Sequence, residues 1–210
     1  MTENPEDYGT LLYLEDTARQ AGLDTKMPPI AQVGLTSRGL FVDAEDQPIE
    51  LMFKLYPWEW MMWEQFGASL PGAPTQFVEP PWKAILSKTA ILPLLWAMYP
   101  NHPNLLPAYC EGDPKAAELG NSYVCKPLYS REGGNVTLVV DGKTADEDPG
   151  SYGAEGFIRQ AVAPIPAFAG NYTVLGSWVA GGAACGISIR EDASPITRNT
   201  SRFLPHAIIG

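Results

Sequence analysis

Tyr123-Val-Cys-Lys-Pro-Leu-Tyr-Ser-Arg-Glu-Gly-Gly-Asn135-Val-Thr-Leu-Val-Val140 places a strand, a cation, a glycine turn and a second strand within eighteen residues. Tyr123 to Leu128 and Asn135 to Val140 are short β-branched or aromatic runs, and the break at Ser130-Arg-Glu-Gly-Gly134 reads as a hairpin loop. Glycines carry no Cβ, so backbone N–H groups at Gly133 and Gly134 are able to close around an anion, with Lys126 and Arg131 supplying the opposing charge. A surface hairpin whose glycines serve only the turn is the plainer alternative.

Composition sets the outer limits. The chain has 210 residues, of which 45% are apolar and 18% charged, so it is a folded chain with material for one good core or two small ones. A formal charge of -10 argues against nucleic acid or an anionic membrane as the main partner. An acidic surface suits a polyamine. Cys110, Cys125 and Cys185 are an odd number without a C-x-x-C pair, which reads as reduced thiols of a cytoplasmic protein. The opening Met1-Thr-Glu-Asn-Pro-Glu-Asp lacks the basic and apolar stretches of a signal peptide, and the longest apolar runs are broken by proline.

Outward from the hairpin, Tyr8 to Gly22 has a helical apolar spacing with Gly22 as its stop. A helix without a preceding strand points to a truncated start. Turns are expected at Ser37-Arg-Gly39 and Asp43-Ala-Glu-Asp46, with a strand over Ile49 to Leu55. Tyr56 to Trp63 holds three tryptophans and a tyrosine, read as core or interface, or as a ligand wall in which Glu59 meets an ammonium. Phe66 to Glu79 reads as a loop and marks the internal boundary, giving regions 1–70 and 71–210. A helix is expected over Ala84 to Leu95, a connection over Asp141 to Ala154, a strand at Phe157 to Gln160, and a strand pair turning at Gly181-Gly182. His102 reads as structural.

The hairpin, together with Ala90-Ile-Leu-Pro-Leu-Leu-Trp96, Gly170-Asn-Tyr172, Gly176-Ser-Trp178-Val179, Ile189-Arg-Glu-Asp192, Thr197-Arg-Asn-Thr-Ser-Arg-Phe203 and Pro205-His206, resembles the glutathionylspermidine synthase family. The likeness runs from about Tyr8 to His206. It implies an α/β (α+β) fold: the mixed and antiparallel sheets of an ATP-grasp region, flanked by helices and preceded by part of a pre-ATP-grasp domain. It also implies an ATP-dependent ligase that joins a carboxylate to an amine through an acyl phosphate. The substrates implied are small molecules, a thiol peptide or other carboxylate and a polyamine or other amine.

By the same resemblance the nucleotide contacts fall on Lys126, Glu132, Gly133, Gln160, Ala161, Pro195, Ile196 and Thr197. The family's own catalytic arginine belongs to an upstream segment, and Arg190 is read from its chemistry instead, as a guanidinium at a strand end able to stabilise the transferring phosphoryl group. Arg190 paired with Glu191 or Asp192 at the surface is the plainer reading. Relatives read Ser-Asn-Lys-Ala-Ile-Leu-Pro, so the family's ATP-contacting lysine falls on Thr89, with Lys88 one step earlier. The family's Mg2+ ligands belong to an upstream segment and match nothing here, so no metal ligand is assigned. Two further readings stay open, a degenerate nucleotide- or polyamine-binding module and a plain interaction domain.

Overall fold

The computed structural model describes residues 5–208; the opening Met1-Thr-Glu-Asn read above lies outside them. The chain forms two compact units, Met1–Ala84 and Ile85–Gly210. The segment at 66–79, where composition placed a boundary, lies inside the first.

In the first unit, α1 (Pro5–Gln20) ends where expected. Gly22 takes φ +83, and the N–H groups of Gly22 and Leu23 donate to the Arg19 and Ala18 carbonyls at 2.9 and 3.1 Å, a Schellman closure that only a residue tolerant of left-handed φ completes cheaply. β1 (Gly34–Leu35) and β2 (Phe41–Val42) form a small antiparallel pair around the predicted turn at Gly39. The turn at Asp43 is knit by its carboxylate, which accepts from the Glu45 and Gln47 backbone and from Lys26. β3 (Leu51–Phe53) leads into α2 (Trp58–Trp63). The stretch expected to be loop contains a 3-10 helix at Gly67–Gly72 and a strand, β4 (Gln76–Val78), parallel to β3. Phe41, Met52, Trp58, Met61, Phe77 and Ala84 form the core, with the Trp58 and Phe77 rings edge to face at 5.1 Å. The tryptophan cluster is therefore divided: Trp58 is 3% exposed and Trp63 88%.

The second unit opens with α3 (Ile91–Met98), shorter and later than predicted. Pro93 sits in its first turn, where a missing N–H breaks no helical bond. Next come β5 (Ala108–Cys110), β6 (Tyr123–Pro127), β7 (Thr137–Val140), β8 (Lys143–Glu147) and β9 (Phe157–Ala161). They make one antiparallel sheet in the order β5-β9-β6-β7-β8, so the last strand slots between the first two. Sequence reading treated β8 as connection, since Lys143-Thr-Ala-Asp-Glu147 is polar and mostly exposed, as an edge strand permits. β10 (Ala167–Phe168), β11 (Asn171–Ala180), β12 (Ala183–Asp192) and β13 (Arg202–Leu204) build a second antiparallel sheet in chain order. Gly181 and Gly182, at φ +57 and +81, make the predicted two-residue turn between β11 and β12. The whole is a mixed α/β fold with few helices and mainly antiparallel sheets.

Candidate functional site

Register in the five-stranded sheet determines what faces what. Val124 pairs with Gln160 and Lys126 with Ile158, so all four side chains share one face. Ile158 is wholly buried and Gln160 7% exposed, which makes this the sheet's centre. Lys126 reaches along it and its Nζ donates to Gln160 Oε1 at 2.8 Å. Burial alone pushes the lysine below its ordinary value, and among the described residues no carboxylate forms an ion pair with it. A half-buried ammonium held by a neutral amide has unmet attraction for an anion. Ala161, the next predicted contact, has its N–H committed to the Pro107 carbonyl at 2.8 Å.

The loop from Leu128 to Val136 is more tightly wound than a simple hairpin. Glu132 and Gly133 take φ +56 and +78, and the Gly134 N–H donates to the Arg131 carbonyl at 2.9 Å, which makes a type I′ turn. Gly133 lies against the segment that carries Pro195, Ile196 and Thr197. A Cβ at Gly133 would stand 2.6 Å from the Thr197 carbonyl oxygen and 3.0 Å from Ile196 Cγ2. Two predicted groups 60-odd positions apart are thus in direct contact, while Glu132 itself is exposed.

Arg190 faces the loop that follows β12. Its NH2 donates to the carbonyls of Arg198 at 2.5 Å and of Asn199 and Ser201 at 3.5 Å, and its guanidinium lies 4.9 Å from the centre of the Phe203 ring. It pins the loop that follows β12 and is not drawn to Lys126. Neither acidic neighbour pairs with it: Glu191 bonds Arg202 at 2.6 Å, and Asp192 accepts from Ser201 Oγ at 2.6 Å and the Ser194 N–H at 3.0 Å. Those bonds hold the Asp192 carboxyl below its ordinary value. With its oxygens engaged, Asp192 is a poor start for a metal site. Among the described residues no group of three or more His, Cys, Asp and Glu side chains is arranged to hold a metal ion.

Sequence reading missed the residues that fasten this loop to the sheet. Ser194 Oγ donates to Asp146 Oδ2 at 2.6 Å, and Arg198 pairs with Asp148 at 2.7 Å and with Asp146 at 3.7 Å. Asp146 belongs to β8, the strand that polarity concealed. Thr89 also has a place: its hydroxyl donates to the carbonyls of Pro127 and Leu128, at the end of the strand that carries Lys126. Lys88 turns to Tyr129, with Nζ 2.7 Å from its hydroxyl. In the first unit a cavity of about 300 Å³ is lined by Val33, Phe41, Met52, Met61 and Phe66, with Glu64 among its polar residues. No predicted nucleotide contact borders it.

A family model described as "Glutathionylspermidine synthase preATP-grasp" matches residues 1–209. The chain is 42% identical to a Haemophilus influenzae protein named "Putative acid--amine ligase", over 97% of this chain and 53% of that protein. It is 30% identical to a trypanothione synthetase of Crithidia fasciculata (96% and 34%) and 25% identical to a bifunctional glutathionylspermidine synthetase/amidase of Escherichia coli (94% and 36%). The chain therefore spans about a third to a half of the length of these relatives. With the family model covering almost every residue, the chain belongs to the glutathionylspermidine synthase pre-ATP-grasp family.

Proposed function

We propose that this chain is part of an ATP-dependent ligase that joins a carboxylate to an amine, and that it supplies one side of the nucleotide pocket. The observation carrying the reading is Lys126: a cation on the central sheet face, bonded to Gln160 and lacking a carboxylate partner, suits the phosphates of a nucleotide. Lys126 and Gln160 would hold ATP from the sheet. Gly133, the Glu132 turn and the Pro195–Thr197 segment would border it as a backbone wall. ATP, when bound, supplies the phosphoryl group that converts a carboxylate into an acyl phosphate open to attack by an amine.

Arg190 is assigned a supporting part, fixing the carbonyls of Arg198 and Ser201 and with them the loop that carries Thr197. The described residues do not fit a magnesium ion: no three His, Cys, Asp or Glu side chains among them converge. The names of the relatives favour small-molecule substrates of the thiol-peptide and polyamine kind, in a cytoplasmic setting consistent with three unpaired cysteines. A binding module without catalysis is the second reading. It is favoured by Thr89, whose hydroxyl is committed to the Pro127 and Leu128 carbonyls where the family has a lysine.

Titration of ATP into the chain, with Lys126→Ala and Gln160→Ala beside it, tests the proposal. Loss of a charge-assisted bond predicts about tenfold or greater weakening in Lys126→Ala. Identical isotherms for Lys126→Ala and the unsubstituted chain would remove the lysine from the pocket.

A further inference from the structure

β3 and β4 run parallel, with Leu51 opposite Gln76, Met52 opposite Phe77 and Phe53 opposite Val78, and they form a sheet of only two strands. Parallel strands occur almost only in sheets that are covered by apolar layers on both faces. Here one face is covered. Met52 and Phe77 lie in the core, whereas Leu51, Phe53 and Val78 on the other face are 53%, 46% and 41% exposed. Leu51-Met-Phe53 lacks the polar alternation of a strand with one wet side; it reads as a strand buried on both sides.

The outer edge of β3 is open beyond Ile49, whose N–H donates to the Phe41 carbonyl at 2.9 Å. The Gln76 N–H donates to the Glu50 carbonyl at 2.8 Å and the Lys54 N–H to the Val78 carbonyl at 3.2 Å. Alternation then turns the N–H and C=O groups of Leu51 and Phe53 to the outer edge of β3. No charge or proline within Leu51–Phe53 guards that edge against another strand.

We infer that this sheet continues into a strand, and that Leu51, Phe53 and Val78 are covered by an apolar layer, both contributed by the portion of a family ligase polypeptide that these 210 residues do not span. The inference rests on the reading of the chain as part of such a ligase. The match leaves 47% of the Haemophilus influenzae relative unaccounted for, almost as much polypeptide again as is present here. A second copy of this chain is the weaker occupant, because each copy brings a formal charge of -10 to the contact.

The test mixes the 210-residue chain with the unmatched remainder of the Haemophilus influenzae relative, expressed as a separate polypeptide. Association is expected. Amide exchange at Leu51 and Phe53 should slow by about a hundredfold, and Phe53→Asp or Val78→Asp should weaken association by about tenfold or more. The inference is overturned by absence of association, by association that leaves those amides exchanging at their free rate, or by self-association of the chain alone that Phe53→Asp abolishes. Should both aspartate variants misfold by circular dichroism, exchange in the unsubstituted chain decides. ATP titration of the mixture separates the two readings. Association without ATP affinity keeps the sheet and sinks the nucleotide pocket at Lys126; ATP affinity in the chain alone, without association, sinks only the sheet.

Discussion

Gly133→Ala is the sharpest probe of the site, because a second glycine supplies its control. Gly133 and Gly182 both lie in the second unit at nearly the same backbone angle, φ +78 and +81. A Cβ at Gly182 meets nothing within 4 Å, so alanine there registers only the left-handed backbone, about 1–2 kcal/mol. At Gly133 the same methyl lies 2.6 Å from the Thr197 carbonyl oxygen, which must recede by about 0.8 Å to reach an ordinary contact of 3.4 Å. That carbonyl precedes Arg198, whose N–H is tied to Ser201 Oγ at 2.8 Å and whose side chain is tied to Asp148, so the loop yields only by breaking bonds. Overpacking of this kind adds about 1–3 kcal/mol, for a total of about 2–5 kcal/mol. Urea unfolding followed by circular dichroism measures both variants. Equal losses at Gly133 and Gly182, within about 0.5 kcal/mol, would refute the clamp between the turn and the Thr197 segment.

Three further outcomes are expected. Lys126→Met should stabilise the fold at neutral pH while weakening ATP binding about tenfold or more, because it removes a half-buried cation that has no carboxylate partner among the described residues. The lysine sits below its ordinary value of 10.5 in the folded chain, so the unfolded chain binds more protons between those two values; the advantage of Lys126→Met should shrink as pH rises through that window and persist in full below it, by urea unfolding at stepped pH. The Asp192 carboxyl is also held below its ordinary value of 3.8, but there the downward shift favours the charged form, so its contribution is present above that pH and is lost as pH falls through the folded value; Asp192→Asn should flatten the acid limb of the stability profile. Trp58→Ala should cost about 3–5 kcal/mol and Trp63→Ala less than about 0.5, with the emission of Trp58 blue and that of Trp63 red, by melting and fluorescence of the single variants.

What the sequence disclosed follows a physical line. The β6–β7 pair and the Gly181–Gly182 turn were legible because β-branched residues and consecutive glycines act locally, and the end of α1 was legible for the same reason at Gly22. β4 was hidden by the prolines and glycines that lead into it, since those punctuate a chain whether or not three residues later it joins a sheet. At the site, the residue types of Lys126 and Gln160 were readable, but the bond between them spans 34 positions and exists only because β9 inserts beside β6. Ser194 and Asp146, 48 positions apart, carry no local mark of their meeting. Arg190 was assigned to chemistry on its type and place, and no spacing could tell that it would spend its donors on carbonyls eight to eleven residues ahead.

The ribbon of β11 and β12 has a further effect on the segment beyond it. Its strands are partly covered at Asn171–Val174 and at Ser188–Asp192 but bare toward the Gly181–Gly182 tip, where Trp178 and Val179 are 63% and 66% exposed. Such an arm is anchored at one end, and its hydrogen bonds open most readily where fewest neighbours hold them. Fraying therefore starts at the tip and fades before the root, where Arg190 and Asp192 grip the loop of Thr197. The Thr197 segment beside Gly133 is thus fastened at the end of the ribbon that opens last.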